Sequence, residues 1–235
     1  MINKIYIYTN NDPISLWDVL GEYIFQNQPL PQETYSQEDI VFINNPDTAC
    51  SACNNKLQIL VQTMGARYYA AQKEQFKKRI KCRLEATCGQ TVTPSAKGQH
   101  QASPERNDGR FTIRGGRITM NCKCPQPMDV QFTHELTHAI DTCEMGMPKT
   151  CEDILLTEYN AYASAQCANA EDLRSCLRRY AFNSAMTSST CNTYVGGPVT
   201  PLKGGGVSKD DQDKLNNFRK MFEHTLDNYM KKHRS

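Results

Sequence analysis

The chain reads as an α+β protein, mainly helical, with one small antiparallel sheet or hairpin and a framework of disulfides. Three observations lead there. Apolar residues recur at helical spacing over most of the length after Cys50. The exception is "RFTIRGGRITMNC", where two β-prone runs flank Gly115-Gly116, a pair that suits a tight hairpin turn. Eleven cysteines, all between positions 50 and 191, are more than a reduced cytosolic chain ordinarily carries.

Taken in order, Asp12-Pro13 predicts a helix start, with Leu16, Trp17, Leu20, Tyr23 and Ile24 following at helical spacing. "QNQPLPQETYSQED" is a linker. Residues 50–82 predict one long helix with Leu57, Leu60, Val61, Met64 and Tyr68 as its apolar stripe and a basic end that suits the helix dipole. Residues 89–109 are polar and rich in Gly, Pro and Ser, and predict an exposed loop. The hairpin at 111–120 comes next, then a helix from about Val130 through Thr142. "MGMPKT" breaks it, and "CEDILLTEYNAYASAQC" starts another helix with acidic residues in its first turn. "AEDLRSCLRRYAFNSAMTSSTC" is a third, and "GGPVTPLKGGG" a linker. Ser208 caps a last amphipathic helix that lines up Leu215, Phe218, Met221, Phe222, Leu226 and Tyr229. The predicted organisation is an N-terminal extension 1–45, a main domain 46–191, a linker 192–207 and a C-terminal helix 208–235.

The net charge of +2 implies no pull toward nucleic acid. No apolar run approaches the ~20 residues of a transmembrane helix. The N-terminal stretch lacks the apolar core of a secretory signal and the Arg-rich pattern of a transit peptide.

The residues that carry chemistry lie in "FTHELTHAID". On a helix His134 and His138 share one face a turn apart, so both imidazoles can reach one zinc ion. Glu135 stands beside the metal and is the candidate general base for peptide hydrolysis. Two histidines and one carboxylate form a catalytic zinc set with a fourth position open. Glu158, twenty residues after His138 on the next predicted helix, is the expected third ligand. Glu144 and Glu152 are poorer placed. Asp141 could orient a ligand histidine through its other ring nitrogen. Tyr159 and Tyr162, the second above all, could donate to a developing oxyanion. The strand edge at 111–120 could pair with an extended peptide. His100, His224 and His233 stand alone in polar surroundings and are assigned no catalytic part. The fold expected around such a helix is zincin-like.

The disulfide candidates are Cys50, Cys53, Cys82, Cys88, Cys122, Cys143, Cys151, Cys167, Cys176 and Cys191. Alternatively, "CSAC" at 50–53 with Cys122 and Cys124 could form a structural zinc site. An odd count leaves at least one thiol unpaired within the chain. An oxidising compartment reached without a cleaved signal fits the mitochondrial intermembrane space.

"HELTHAIDTC" resembles the signature of the mitochondrial inner-membrane metalloproteases that mature and assemble ATP synthase subunit a, the ATP twenty-three family. The upstream Cys50-x-x-Cys53, Cys122 before the motif, "TEYNAYASAQC" and "CLRRYAFNSA" follow in the family's order. The resemblance implies metal ligation by His134, His138 and Glu158, catalysis by Glu135, one catalytic Zn2+, and oxidised cysteines. It also implies a place in the intermembrane space, peripheral to the inner membrane. Partners would be an inner-membrane precursor or subunits of a respiratory or ATP synthase complex. Asn160 stands where the family has an arginine, the family's last cysteine is missing from the final helix, and residues 1–45 and 192–207 are additions. These departures leave an alternative: a non-catalytic zincin-fold subunit or assembly factor of such a complex.

Overall fold

The computed structural model describes residues 8–9, 12–13, 40–91, 96–123, 127–194 and 208–233. Two compact units divide the chain, Met1–Tyr35 and Ser36–Ser235. In the first, β1 (Tyr8–Thr9) and β2 (Asp12–Pro13) pair antiparallel. Asp12-Pro13 therefore opens no helix. A residue before proline is pushed toward extended backbone, which suits the strand. Leu16, Trp17, Leu20, Tyr23, Ile24 and the linker after them lie outside the described residues.

The second unit begins with β3 (Ile40–Ile43), a strand inside the segment expected to be an extension. A turn at Thr48–Cys50 leads into α1 (Ser51–Lys77). Then come β4 (Ile80–Gly89), β5 (Gly98–Asn107) and β6 (Thr112–Asn121). Helices α2 (Met128–Met145), α3 (Cys151–Ser164), α4 (Leu173–Thr187), α5 (Ser189–Tyr194) and α6 (Lys209–Lys232) complete it. The α+β class holds. The sheet, however, is mixed: its order is β3-β4-β6-β5, with β3, β4 and β6 parallel and only β5 antiparallel.

Three expectations are corrected here. The long helix stops at Lys77, and Arg79 turns the chain with a positive φ of 60°. From Ile80 the period changes to two, with Cys82, Leu84, Ala86 and Cys88 buried in alternation. Within the segment 89–109 expected to be a loop, Gly98–Asn107 is a strand that pairs with β6. Gly115 and Gly116 sit within β6 rather than at a hairpin tip. A Cβ on Gly115 would run into the Arg83 carbonyl oxygen, and one on Gly116 would stand 2.5 Å from the Gln101 oxygen. The two glycines let β6 lie close between both neighbours. The turn joining β5 to β6 is instead at Asp108-Gly109, closed by the Asp108 amide on the Phe111 carbonyl at 3.1 Å.

The first core joins α1, α2 and one face of the sheet, with Leu57, Tyr68, Leu84, Ile118, Phe132 and Leu136 fully covered. Cys50–Cys122, Cys53–Cys88 and Cys82–Cys143 brace it. The second core joins α3, α4, α5 and α6 through Leu155, Tyr159, Leu177, Phe218, Phe222 and Leu226. Cys151–Cys191 and Cys167–Cys176 brace that one. Each disulfide stays within its own core, and α2 meets α3 between them. The ten candidate cysteines are thus all paired, which excludes a zinc site built on Cys50, Cys53 and Cys122. Cys124 lies outside the described residues.

On the second core α4 begins on an Asp172 cap, and the predicted helix through Cys191 breaks at Ser188. Arg174 and Arg178 reach across to Glu223 and Asp227 on α6. Among the described residues no helix is long and apolar enough to cross a membrane.

Candidate metal centre

α2 is held rigid at the end that follows its functional residues. Gly146 stops it with a φ of 86°, a conformation a side chain would strain. Arg114 of β6 donates to the carbonyls of Cys143 and Glu144 at 3.0 and 2.9 Å, closing the last turn. α3 starts on a capping box, in which the Thr150 hydroxyl accepts from the Asp153 amide and the Asp153 carboxylate accepts from the Thr150 amide. The short connection folds α3 back against α2. Asn160 fixes the pairing by donating to both Asp141 carboxylate oxygens, at 3.2 and 3.1 Å.

This pairing brings together the three residues the sequence singled out. His134 Nε2 and His138 Nε2 are 3.1 Å apart. Glu158 Oε2 is 3.9 Å from the first, and Oε1 is 3.7 Å from the second. Ligand atoms about 2.0–2.2 Å from a tetrahedral zinc stand about 3.3 Å from one another, and here one ligand atom from each of the three residues lies within 4.8 Å of the others, close to what such an ion requires. Glu158 Oε2 is buried and has no hydrogen-bond partner in the protein. An ionised oxygen left so would be costly, and a cation supplies what it lacks. The group could hold a metal ion. Neither Glu144 nor Glu152 competes, both being exposed.

The electrostatics agree. Burial holds His134 down to about 4 and His138 well below the ordinary imidazole range, so both rings are neutral and free to ligate. Burial lifts Glu158 to about 7; the Ser184 hydroxyl opposes the rise, and the Glu135 charge adds to it. Glu135 is likewise raised to about 7 by burial, against hydrogen bonds from Gln131 Nε2 at 2.8 Å and the His100 amide. A carboxyl poised near neutrality suits proton transfer.

Asp141 accepts from Asn160 and not from a ligand histidine. Gln166 takes the orienting part: its Oε1 lies 3.3 Å from His134 Nδ1. An amide oxygen only accepts, so the proton stands on Nδ1 and the Nε2 lone pair faces Glu158. Tyr159 belongs to the core, its hydroxyl donating to the Phe222 carbonyl at 3.0 Å. Tyr162 stays at the site, its ring 4.4 Å from that of His134 and its hydroxyl in a hydrogen bond with Ser184. The free strand edge is not at 111–120, since β6 is paired on both sides; beside α2 it is β5.

Sequence reasoning missed Gln166, Ser184 and His100. The first two carry no motif and reach the site only through the α3–α4 packing. His100 was set aside as solitary; it lies on β5 against α2, within electrostatic reach of His138.

Comparison with protein-family models, with curated proteins and with solved structures gives no match for this chain.

Proposed function

We propose that the chain is a zinc metallopeptidase of zincin-like architecture. The observation that carries this reading is the convergence of His134, His138 and Glu158, within 4.8 Å of one another, beside a Glu135 raised to about 7. A bound zinc ion supplies Lewis acidity and activation of water at the open position. The residues supply the rest. His134, held by Gln166, and His138 bind; Glu135 takes the proton as a peptide bond is attacked and returns it to the leaving amine. The open edge of β5 aligns an extended substrate main chain, and the Tyr162 hydroxyl is the available donor to the oxygen of the scissile carbonyl.

The resemblance of the motif helix extends the proposal. The enzyme works in the mitochondrial intermembrane space, peripheral to the inner membrane, on an inner-membrane precursor such as an ATP synthase subunit. A second reading, a non-catalytic assembly factor or complex subunit, is favoured by Asn160. Its amide is spent on tying α3 to α2, where the family has an arginine available to substrate.

The test is Glu135→Gln in the oxidised protein. Zinc equivalents by mass spectrometry should stay at one per chain, while cleavage of an inner-membrane precursor falls by about 10²–10⁴-fold. Cleavage at the wild-type rate refutes the peptidase reading. Zinc without cleavage in the wild type, together with intact complex assembly, selects the second.

A further inference from the structure

His100 is the one imidazole near the centre to which neither the ligand set nor the base assigns a part. Its position is fixed by three neighbours. Its backbone amide donates to the Glu135 carboxylate. Two residues earlier on the same strand face, a Cβ on Gly98 would stand 3.2 Å from Glu135 Cγ and 3.3 Å from Gln131 Cγ, so this face of β5 looks at α2. The strand is regular there, its irregularity falling between Ser103 and Arg106. The ring itself fills the space that Gly116 leaves open, with Nε2 2.5 Å from where a Gly116 Cβ would be. That Nε2 is buried and has no hydrogen-bond partner.

A buried ring nitrogen without a partner is costly, and a protein retains one where something outside the chain completes it. Here the unpartnered nitrogen lies over Gly116 of β6, on the face of β5 that looks at α2 and on the residue whose amide holds the base. We propose that His100 binds substrate, with Nε2–H donating to an oxygen of the ligand that enters beside Glu135, directly or through one water. This rests on the metallopeptidase reading and adds to it a third imidazole, on the strand that aligns the substrate. Its task is to hold a ligand oxygen beside Glu135, apart from the scissile carbonyl that Tyr162 faces, and it neither ligates the ion nor transfers the base's proton.

The experiment compares wild type, His100→Phe and His100→Gln, each loaded with Co2+ and titrated with acetohydroxamate while the visible spectrum is followed. Phe fills the space without a donor; Gln restores an N–H. Co2+ affinity should be the same in all three. The acetohydroxamate Kd should rise about tenfold or more in His100→Phe, the usual effect of losing a hydrogen bond to a charged group, and recover in part in His100→Gln. With a cleavable peptide, kcat/KM should follow the same order. Equal acetohydroxamate affinity in the three proteins overturns the proposal and leaves the metallopeptidase reading standing. Failure of the wild type to take up Co2+ overturns both. If His100→Phe does not fold, His100→Leu replaces it against His100→Gln, with the same outcomes.

Discussion

Zinc binding should expel protons, and their number follows from the site. Without a cation Glu158 and Glu135 both stand near 7, raised first by burial, and each raises or is raised by its neighbour's charge. At pH 6 a carboxyl with a pKa of about 7 is about nine-tenths protonated. His134, held to about 4, and His138, lower still than its ordinary value, carry no proton to lose there. An arriving dication must take Glu158 as the carboxylate, releasing about 0.9 proton, and its field draws a further fraction from Glu135. Release should lie between about one and two protons per zinc at pH 6, the share from the carboxyls should approach zero by pH 8, and apparent affinity should fall about tenfold or more for each pH unit below 7.

The stability of the metal-free protein moves with the same groups. A carboxyl raised from 4.5 to about 7 contributes most below 4.5, and that contribution is lost as pH climbs through about 7, a loss of roughly 3 kcal/mol for Glu158. His134, lowered from 6.5 to about 4, acts oppositely and weakens the fold as pH falls through that window. The assay is isothermal titration of Zn2+ into the metal-free protein, in two buffers of different ionisation heat. Glu158→Gln should remove about one proton from the release at pH 6 and weaken binding. If release at pH 6 is nil, or unchanged in Glu158→Gln, the assignment of that carboxylate to the ion is wrong.

Two further outcomes follow from contacts at the margins of the centre. Gln166→Leu removes the acceptor on His134 Nδ1 and should weaken zinc about 10–100-fold while leaving the disulfides and the melting of the metal-free protein nearly unchanged; equal affinity would mean the contact orients nothing. Gly116→Ala places a methyl 2.5 Å from the Gln101 carbonyl oxygen and from His100 Nε2, so thermal melting should show a loss of about 1–3 kcal/mol, and an unchanged midpoint would contradict the close approach of the strands.

Helices α2, α3 and α6 were legible because each announces itself locally. His134 and His138 fall on one face by spacing alone, Ser208 is a cap that its own first turn satisfies, and Glu158 follows from a helix, a break and a helix. The strands were not. In β4 the alternation of Cys82, Leu84, Ala86 and Cys88 was present, but "QKEQFKKRI" runs into it with helix-forming residues and obscures the boundary. β5 has no apolar alternation, being a polar edge whose strand state is imposed by its partner. Pro104, which reads as a breaker, falls in the register shift between Ser103 and Arg106, where a missing amide costs no ladder bond. Gly115-Gly116 carries the same letters whether it turns a hairpin or lets strands close in, and only the neighbours decide. The loss of β5 from the sequence reading is also why His100 was overlooked.

The separation of the disulfides lets the two halves be braced independently of each other. Three covalent links secure the α1–sheet–α2 half and two secure the α3–α6 half, with none spanning from one to the other. Oxidation can therefore finish in each half independently, and an ion held by His134 and His138 from one side and Glu158 from the other would add a link across them. Removing such an ion would loosen the α2–α3 seam, which the Asn160–Asp141 hydrogen bonds still tie, and would leave all five disulfides in place.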